Sequence, residues 1–122
     1  RKVRFLLIDT PETVKPNTKV QPFGLAASNR TKELLSTATE ITFEYDKGDK
    51  TDRYGRALGY IFVDGTLLQK TLVSEGLARV AYVKEPNTKY LEELEKAQEQ
   101  AKSQLIGIWS IQGYVTERGF QP

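Results

Sequence analysis

The run VRFLLI, from Val3 to Ile8, stops abruptly at Asp9-Thr10-Pro11-Glu12. A strand this apolar needs cover on both faces, and neither aspartate nor proline suits a strand interior, so the strand is predicted to end there. Asp9 and Glu12 are thereby delivered into a turn at a rigid strand end, and LLIDTPET over 6–13 reads as half of an active site. The other half is TDRYGR at 51–56, a polar loop that opens onto an apolar stretch from Ala57 to Val63 and supplies cations and an aromatic ring. Carboxylates from one strand end facing guanidiniums from another suit the joint holding of a metal and a phosphate.

Composition narrows the chemistry. The chain contains no His and no Cys, which excludes the usual zinc sites, thiol nucleophiles and His-based triads. Catalysis must rest on Asp, Glu, Arg, Lys, Tyr, Ser or Thr, and the metals such residues favour are hard cations such as calcium or magnesium. The 122 residues, 39% hydrophobic and 28% charged, fit one domain with a modest core. A net charge of +2 gives weak overall attraction to nucleic acid, so any such role needs local clusters of cations. No stretch reads as a membrane span or signal peptide, and there is no initiator Met, so the chain is expected to be a processed or trimmed piece.

Lys2 to Ile8 is predicted as one strand. Asp9 to Gln21 carries Pro11, Pro16, Lys15 and Lys19 without a hydrophobic period and is predicted as a long exposed loop. Pro22 opens a helix to about Ser36, with Phe23, Ala27, Thr31, Leu34 and Ala38 on one face. Glu40 to Tyr45 alternates, Ile41, Phe43 and Tyr45 against Thr42 and Glu44, as a half-buried strand does. Asp46 to Lys50 turns the chain, Ala57 to Val63 is the next strand, and Asp64-Gly65 is a dipeptide of tight type I′ turns. Leu68, Leu72 and Val73 mark a short helix with Gly76 as its left-handed terminus, and Leu77 to Val83 a further strand. Asn87 or Thr88 is expected to cap a third helix, with Glu92 and Glu93 in its first turn. Its buried face is Leu91, Leu94, Ala97, Ala101 and Leu105, Gly107 ends it, and Trp109 packs it down. Short strands with one helix among them and others after them predict a small α+β domain built on a partly closed OB-type barrel.

Three stretches, LLIDTPET at 6–13, TDRYGRALGYIFVDG at 51–65 and LVSEGLARVAYV at 72–83, resemble the thermonuclease, or staphylococcal nuclease, family in order and spacing. The likeness runs from about Arg1 to Ser110. It implies an OB-like five-stranded β-barrel with three α-helices over 1–110, followed by a C-terminal tail over 111–122. It also implies a calcium-dependent endonuclease that hydrolyses DNA and RNA with little sequence specificity, secreted or associated with the cell envelope, with no obligate protein partner. By position, Asp9 resembles the family's calcium-binding aspartate and Thr10 the residue whose carbonyl meets the metal, while Glu12 resembles the general base. Arg4 and Arg56 match the arginines that clamp the scissile phosphate, and Tyr54 and Tyr82 the tyrosines of the nucleotide pocket. Arg53 stands where a lysine is common and Lys84 where an aromatic is common. The first change keeps a phosphate-facing charge, and the second removes a stacking platform.

The chemistry is coherent on its own terms. Carboxylates are ionised at neutral and alkaline pH, so Glu12 can take a proton from water. Arginine binds phosphate oxygens through two parallel hydrogen bonds, and an ionic contact of ~4 kcal/mol felt mainly in the transition state is worth about a thousandfold in rate. Singly, each residue has a plainer use. Asp9 can end a strand through an Asx turn, Glu12 can be a solvated loop acid, Arg56 can pair with Glu44 or Asp52, Tyr54 can pack in the barrel, and Tyr82 can be core. The joint occurrence of Arg4, Asp9, Glu12 and Arg56 favours the enzyme over a non-catalytic nucleic-acid-binding or scaffold module of the same fold. In the resembled family at least one strand precedes the position of Arg1 and adds an aspartate to the calcium site. The N-terminal strand or strands are therefore expected to be missing here, leaving a site that binds calcium weakly and cuts poorly.

Overall fold

The computed structural model describes residues 2–13 and 19–121; the predicted loop positions from Val14 to Thr18, Lys15 and Pro16 included, lie outside them. In chain order the elements are β1 (Val3–Phe5), β2 (Ile8–Asp9), α1 (Gly24–Ser36), β3 (Ile41–Glu44), β4 (Ala57–Val63), β5 (Thr66–Leu67), α2 (Leu68–Ser74), β6 (Arg79–Val80), α3 (Leu91–Ser103), a 3-10 turn (Gly107–Ser110), β7 (Val115–Thr116) and β8 (Gly119–Phe120).

The apolar run at the start is not one strand. It breaks at Leu6-Leu7, where Leu7 takes a φ of 70°. β1 lies parallel to β4, pairing Val3 with Ala57 and Phe5 with Gly59, whereas β2 turns away to lie antiparallel to β6. A left-handed conformation disfavours a branched residue, and three contacts hold it here. Leu7 is buried at 1% exposure, its carbonyl accepts the Ala81 N–H at 2.9 Å, and the Leu6 carbonyl accepts Gln69 Nε2 at 3.4 Å. Gln69 is itself fully buried; its Oε1 accepts the Ile61 N–H and its Nε2 also donates to the Gly59 carbonyl at 3.0 Å, so one amide ties the break to the central strand.

β4 is the centre of the main sheet, with β1 on one side, β3 antiparallel on the other, and β5 returning across the Asp64-Gly65 turn. Both turn residues have positive φ, 49° and 83°, as a type I′ turn requires. The sheet has four strands, and β2–β6 and β7–β8 form separate pairs. The described residues therefore build an α+β fold with three helices but do not close a five-stranded barrel, because the break at Leu7 takes β2 out of the β4 sheet.

Leu6, Leu7, Ile8, Tyr60, Leu68, Leu72, Val73 and Leu94 meet between the sheet and the helices, each side chain adding about 1.5–3 kcal/mol by leaving water. α2 packs on α3 and on β4, and it ends as expected: Gly76 has a φ of 72° and the Leu77 N–H reaches back to the Leu72 carbonyl at 2.9 Å. No helix among the described residues is long and apolar enough to cross a membrane.

Other expectations are corrected. α1 starts at Gly24, with Phe23 left-handed before it, and Ala38 lies past its end. Ile41, Phe43 and Tyr45 do share a face, but it is exposed by 49%, 36% and 37%; alternation shows which residues share a face and not whether anything covers it. The strand expected over Leu77 to Val83 is reduced to Arg79–Val80, since Tyr82 adopts a φ of 55°. α3 has no side-chain cap. Asn87 is buried and accepts the Gly48 N–H at 2.7 Å, and the Thr88 hydroxyl donates to Glu85. Leu105 falls beyond the helix end, left-handed and 66% exposed, rather than on its buried face. The tail is ordered as the β7–β8 hairpin, with Tyr114 buried and its hydroxyl donating to the Pro22 carbonyl at 2.7 Å.

Candidate active site

The parallel pairing of β1 with β4 brings the two sequence motifs together, because Arg4 faces Leu58 and the TDRYGR loop leads directly into β4. Arg4, Asp9, Thr10, Glu12, Arg56 and Tyr82 line one open cleft of about 250 Å³. A neighbouring groove of about 410 Å³ shares Arg4 and Tyr82 and adds Arg53 and Lys84. Tyr54 lines neither; it stands 69% exposed beside the cleft, with the Arg53 guanidinium 5.0 Å and the Arg56 guanidinium 5.7 Å from its ring centre. Tyr82 is 59% exposed, a wall and not core, and the Arg4 guanidinium lies 4.5 Å from its ring centre. That stacking holds the cation over a π face without using its N–H donors.

Arg56 is held differently. Its Nε donates to Asp52 Oδ2 at 2.7 Å, and Asp52 Oδ1 accepts the N–H groups of Tyr54 and Arg56 at 2.9 Å each. The plain reading of Arg56 as a partner of Asp52 is thus correct as to contact, yet the side-chain contact uses Nε, and Arg56 still lines the cleft. Burial works against the Asp52 charge, but the Arg56 N–H, the Arg56 guanidinium and the Tyr54 N–H outweigh it and hold the carboxylate below its usual range.

The acids also differ. Asp9 is half-buried, and its Oδ2 accepts Arg79 Nε at 3.0 Å across the β2–β6 pair. Glu12 has an exposed side chain, but its backbone is clamped: the Gln21 Oε1 accepts its N–H at 2.7 Å, and its carbonyl accepts the Gln21 N–H at 3.0 Å. Gly24 opens α1 against the same carbonyl, where a Cβ would come within 2.5 Å of the Glu12 oxygen. Gln21, Gly24, Arg79 and Gln69 were not singled out from the sequence, because each acts across contacts between segments that sequence spacing does not reveal. Asn87 was singled out only as a helix cap; it also donates to the Asp49 carbonyl, fastening the wall of the larger groove.

Hard cations prefer oxygen donors. All the available donors, the carboxylates of Asp9 and Glu12 and the oxygens of Thr10, are of the oxygen type such ions prefer, and they line one cleft. No cluster of three or more acids occurs among the described residues. A cation taking about six to eight oxygens would therefore keep much of its water.

The family profile described as "Staphylococcal nuclease homologue" matches residues 2–111. This chain belongs to that family. Among its relatives, the SPbeta prophage-derived endonuclease YokF of Bacillus subtilis is 58% identical over 118 residues, covering 97% of this chain and 40% of the relative. Endonuclease YncB of the same organism is 57% identical over 118 residues, 97% of this chain and 56% of the relative. The thermonuclease of Staphylococcus hyicus is 47% identical over 110 residues, 90% of this chain and 63% of the relative. The chain thus spans roughly two fifths to two thirds of the length of these nuclease-family proteins.

Proposed function

We propose that this chain carries the catalytic site of a calcium-dependent endonuclease that hydrolyses phosphodiester bonds of DNA and RNA with little sequence preference. The carrying observation is that one cleft is lined both by two arginines, Arg4 and Arg56, and by two acids, Asp9 and Glu12. Family membership, with relatives named endonuclease and thermonuclease, supports the reading and an OB-like frame beneath it.

In this reading Asp9 and the Thr10 carbonyl hold the cation, which when bound supplies positive charge to a phosphate oxygen. Glu12, open to solvent, accepts a proton from the attacking water. Arg56, steadied by Asp52, and Arg4, steadied over Tyr82, receive the charge that builds on the equatorial phosphate oxygens. Tyr82 and Tyr54 offer ring faces to bases, and Arg53 and Lys84 contact flanking phosphates. None of these contacts reads a base edge, which accounts for broad substrate use.

The test is cleavage of single-stranded DNA and of RNA at alkaline pH with millimolar calcium and then with chelator. Calcium-stimulated product from both substrates is expected. Chelator-insensitive binding without any product would instead identify a non-catalytic module, and cutting that ignores chelator would remove the cation from the mechanism.

A further inference from the structure

Arg79 falls within the stretch LVSEGLARVAYV but has no role there by residue type or spacing, yet it makes the one side-chain hydrogen bond on Asp9 seen among the described residues. The two residues are direct partners in the β2–β6 pair, so both backbones are fixed before their side chains meet. The ion pair is sheltered, with the Arg79 side chain 12% and the Asp9 side chain 19% exposed. The C-terminal hairpin packs against the arginine of this pair. The Arg79 guanidinium lies 5.7 Å from the Phe120 ring centre, and a Cβ on Gly119 would sit 3.6 Å from Nη2, an ordinary contact distance. The hairpin is anchored in turn by Tyr114, which is buried and packs against Phe120 with the two rings tilted by 42°. It lies beyond residues 2–111, the part that the family profile matches.

We propose that Arg79 is a positioning residue for Asp9 and that the C-terminal hairpin seats it. The guanidinium takes Oδ2 and leaves Oδ1, which has no hydrogen-bond partner among the described residues, as the oxygen offered to a cation. This rests on the reading of Asp9 as a cation ligand. Two opposed consequences follow. Holding the carboxylate in one orientation favours productive placement of the cation relative to Arg4 and Arg56. The positive charge of the guanidinium at ion-pair range also lowers the attraction of Asp9 for that cation. Arg79 thus exchanges affinity for geometry.

The experiment titrates calcium chloride calorimetrically into the protein and into Arg79→Gln, Arg79→Lys and Phe120→Ala, with thermal melts and kcat at saturating calcium for each. Arg79→Gln is expected to bind calcium about tenfold more tightly, as loss of one nearby positive charge implies, and to turn over about tenfold more slowly. Arg79→Lys keeps the charge and loses the fork, so it should retain the parent affinity with a reduced kcat. Phe120→Ala should shift both quantities in the direction of Arg79→Gln, by about two- to threefold. A merely structural role would weaken binding and turnover together, in step with the melting temperature, and that result overturns the proposal; so does an Arg79→Gln protein identical to the parent in both. If Arg79→Gln does not fold, Phe120→Ala decides, and no change in it overturns the hairpin's part. An unaltered protein that binds no calcium would bring down the cation reading itself, whereas a parent that binds beside an unchanged Arg79→Gln would bring down this inference alone.

Discussion

Asp9 and Glu12 stand in one turn and line one cleft, but they are held by opposite means. Asp9 is gripped by its side chain, through Arg79, on a strand paired across the fold. Among the described residues Glu12 is gripped only by its backbone, through Gln21 and the close approach of Gly24, and its side chain is exposed. The two arginines repeat the contrast: Arg56 is fixed by a carboxylate and Arg4 by a ring face. The difference matches the work proposed for each group. A cation ligand must present one oxygen in one direction, whereas a base must exchange protons with water, so only its point of attachment needs to be rigid.

Glu12→Gln should have the largest effect. Because the side chain is exposed and the clamp is on the backbone, turnover should fall about a thousandfold while the melting temperature stays within a degree or so of the parent. A large loss of stability would show that the carboxylate is structural. Arg56→Ala follows. Loss of a charge that acts mainly in the transition state should lower kcat by about a hundredfold or more with a smaller change in KM, read from steady-state kinetics on a defined oligonucleotide. An effect confined to KM would make Arg56 a binding residue.

Gln21→Ala tests the clamp itself. It removes one side-chain hydrogen bond, so stability should drop by about 1 kcal/mol, and the rate should fall about tenfold because Glu12 loses its register. Equal rates in parent and variant would mean that Gly24 and the Gln21 backbone suffice. The smallest effect concerns pH. Asp52 is held below its usual carboxylate range in the folded state, so its contribution is present above the unfolded value and is lost as pH falls through the lowered folded value. The melting difference between the protein and Asp52→Asn should accordingly be full at neutral pH and shrink on acidification. A difference that grows toward acid would reverse the assignment.

Much of the site was legible because its chemistry is written in short segments. Asp9 and Glu12 come from one turn, and Arg53, Tyr54 and Arg56 from one loop, so residue type and spacing singled out both segments without knowledge of the fold, while the part of Thr10 rested on the resemblance to a family. Their neighbours were not legible for the corresponding reason. Arg79 lies 70 positions from Asp9 and Gln69 lies 63 from Leu6, and nothing local marks either as a partner.

The sequence by itself determined the three helices, the central strand Ala57–Val63 and the Asp64-Gly65 turn, because helical period, alternation and turn chemistry are local properties of the chain. Tertiary structure decided where strands stop. Leu7 and Tyr82 take left-handed conformations in stretches whose composition favours continuous strand. Leu7 is held there by burial and by the Ala81 N–H, while Gln69 grips the Leu6 carbonyl beside it. Those long-range contacts outweigh a propensity worth only about 1 kcal/mol, and at Leu7 they turn an apolar strand into the bend that places Asp9 beside Arg79 and in the same cleft as Arg56.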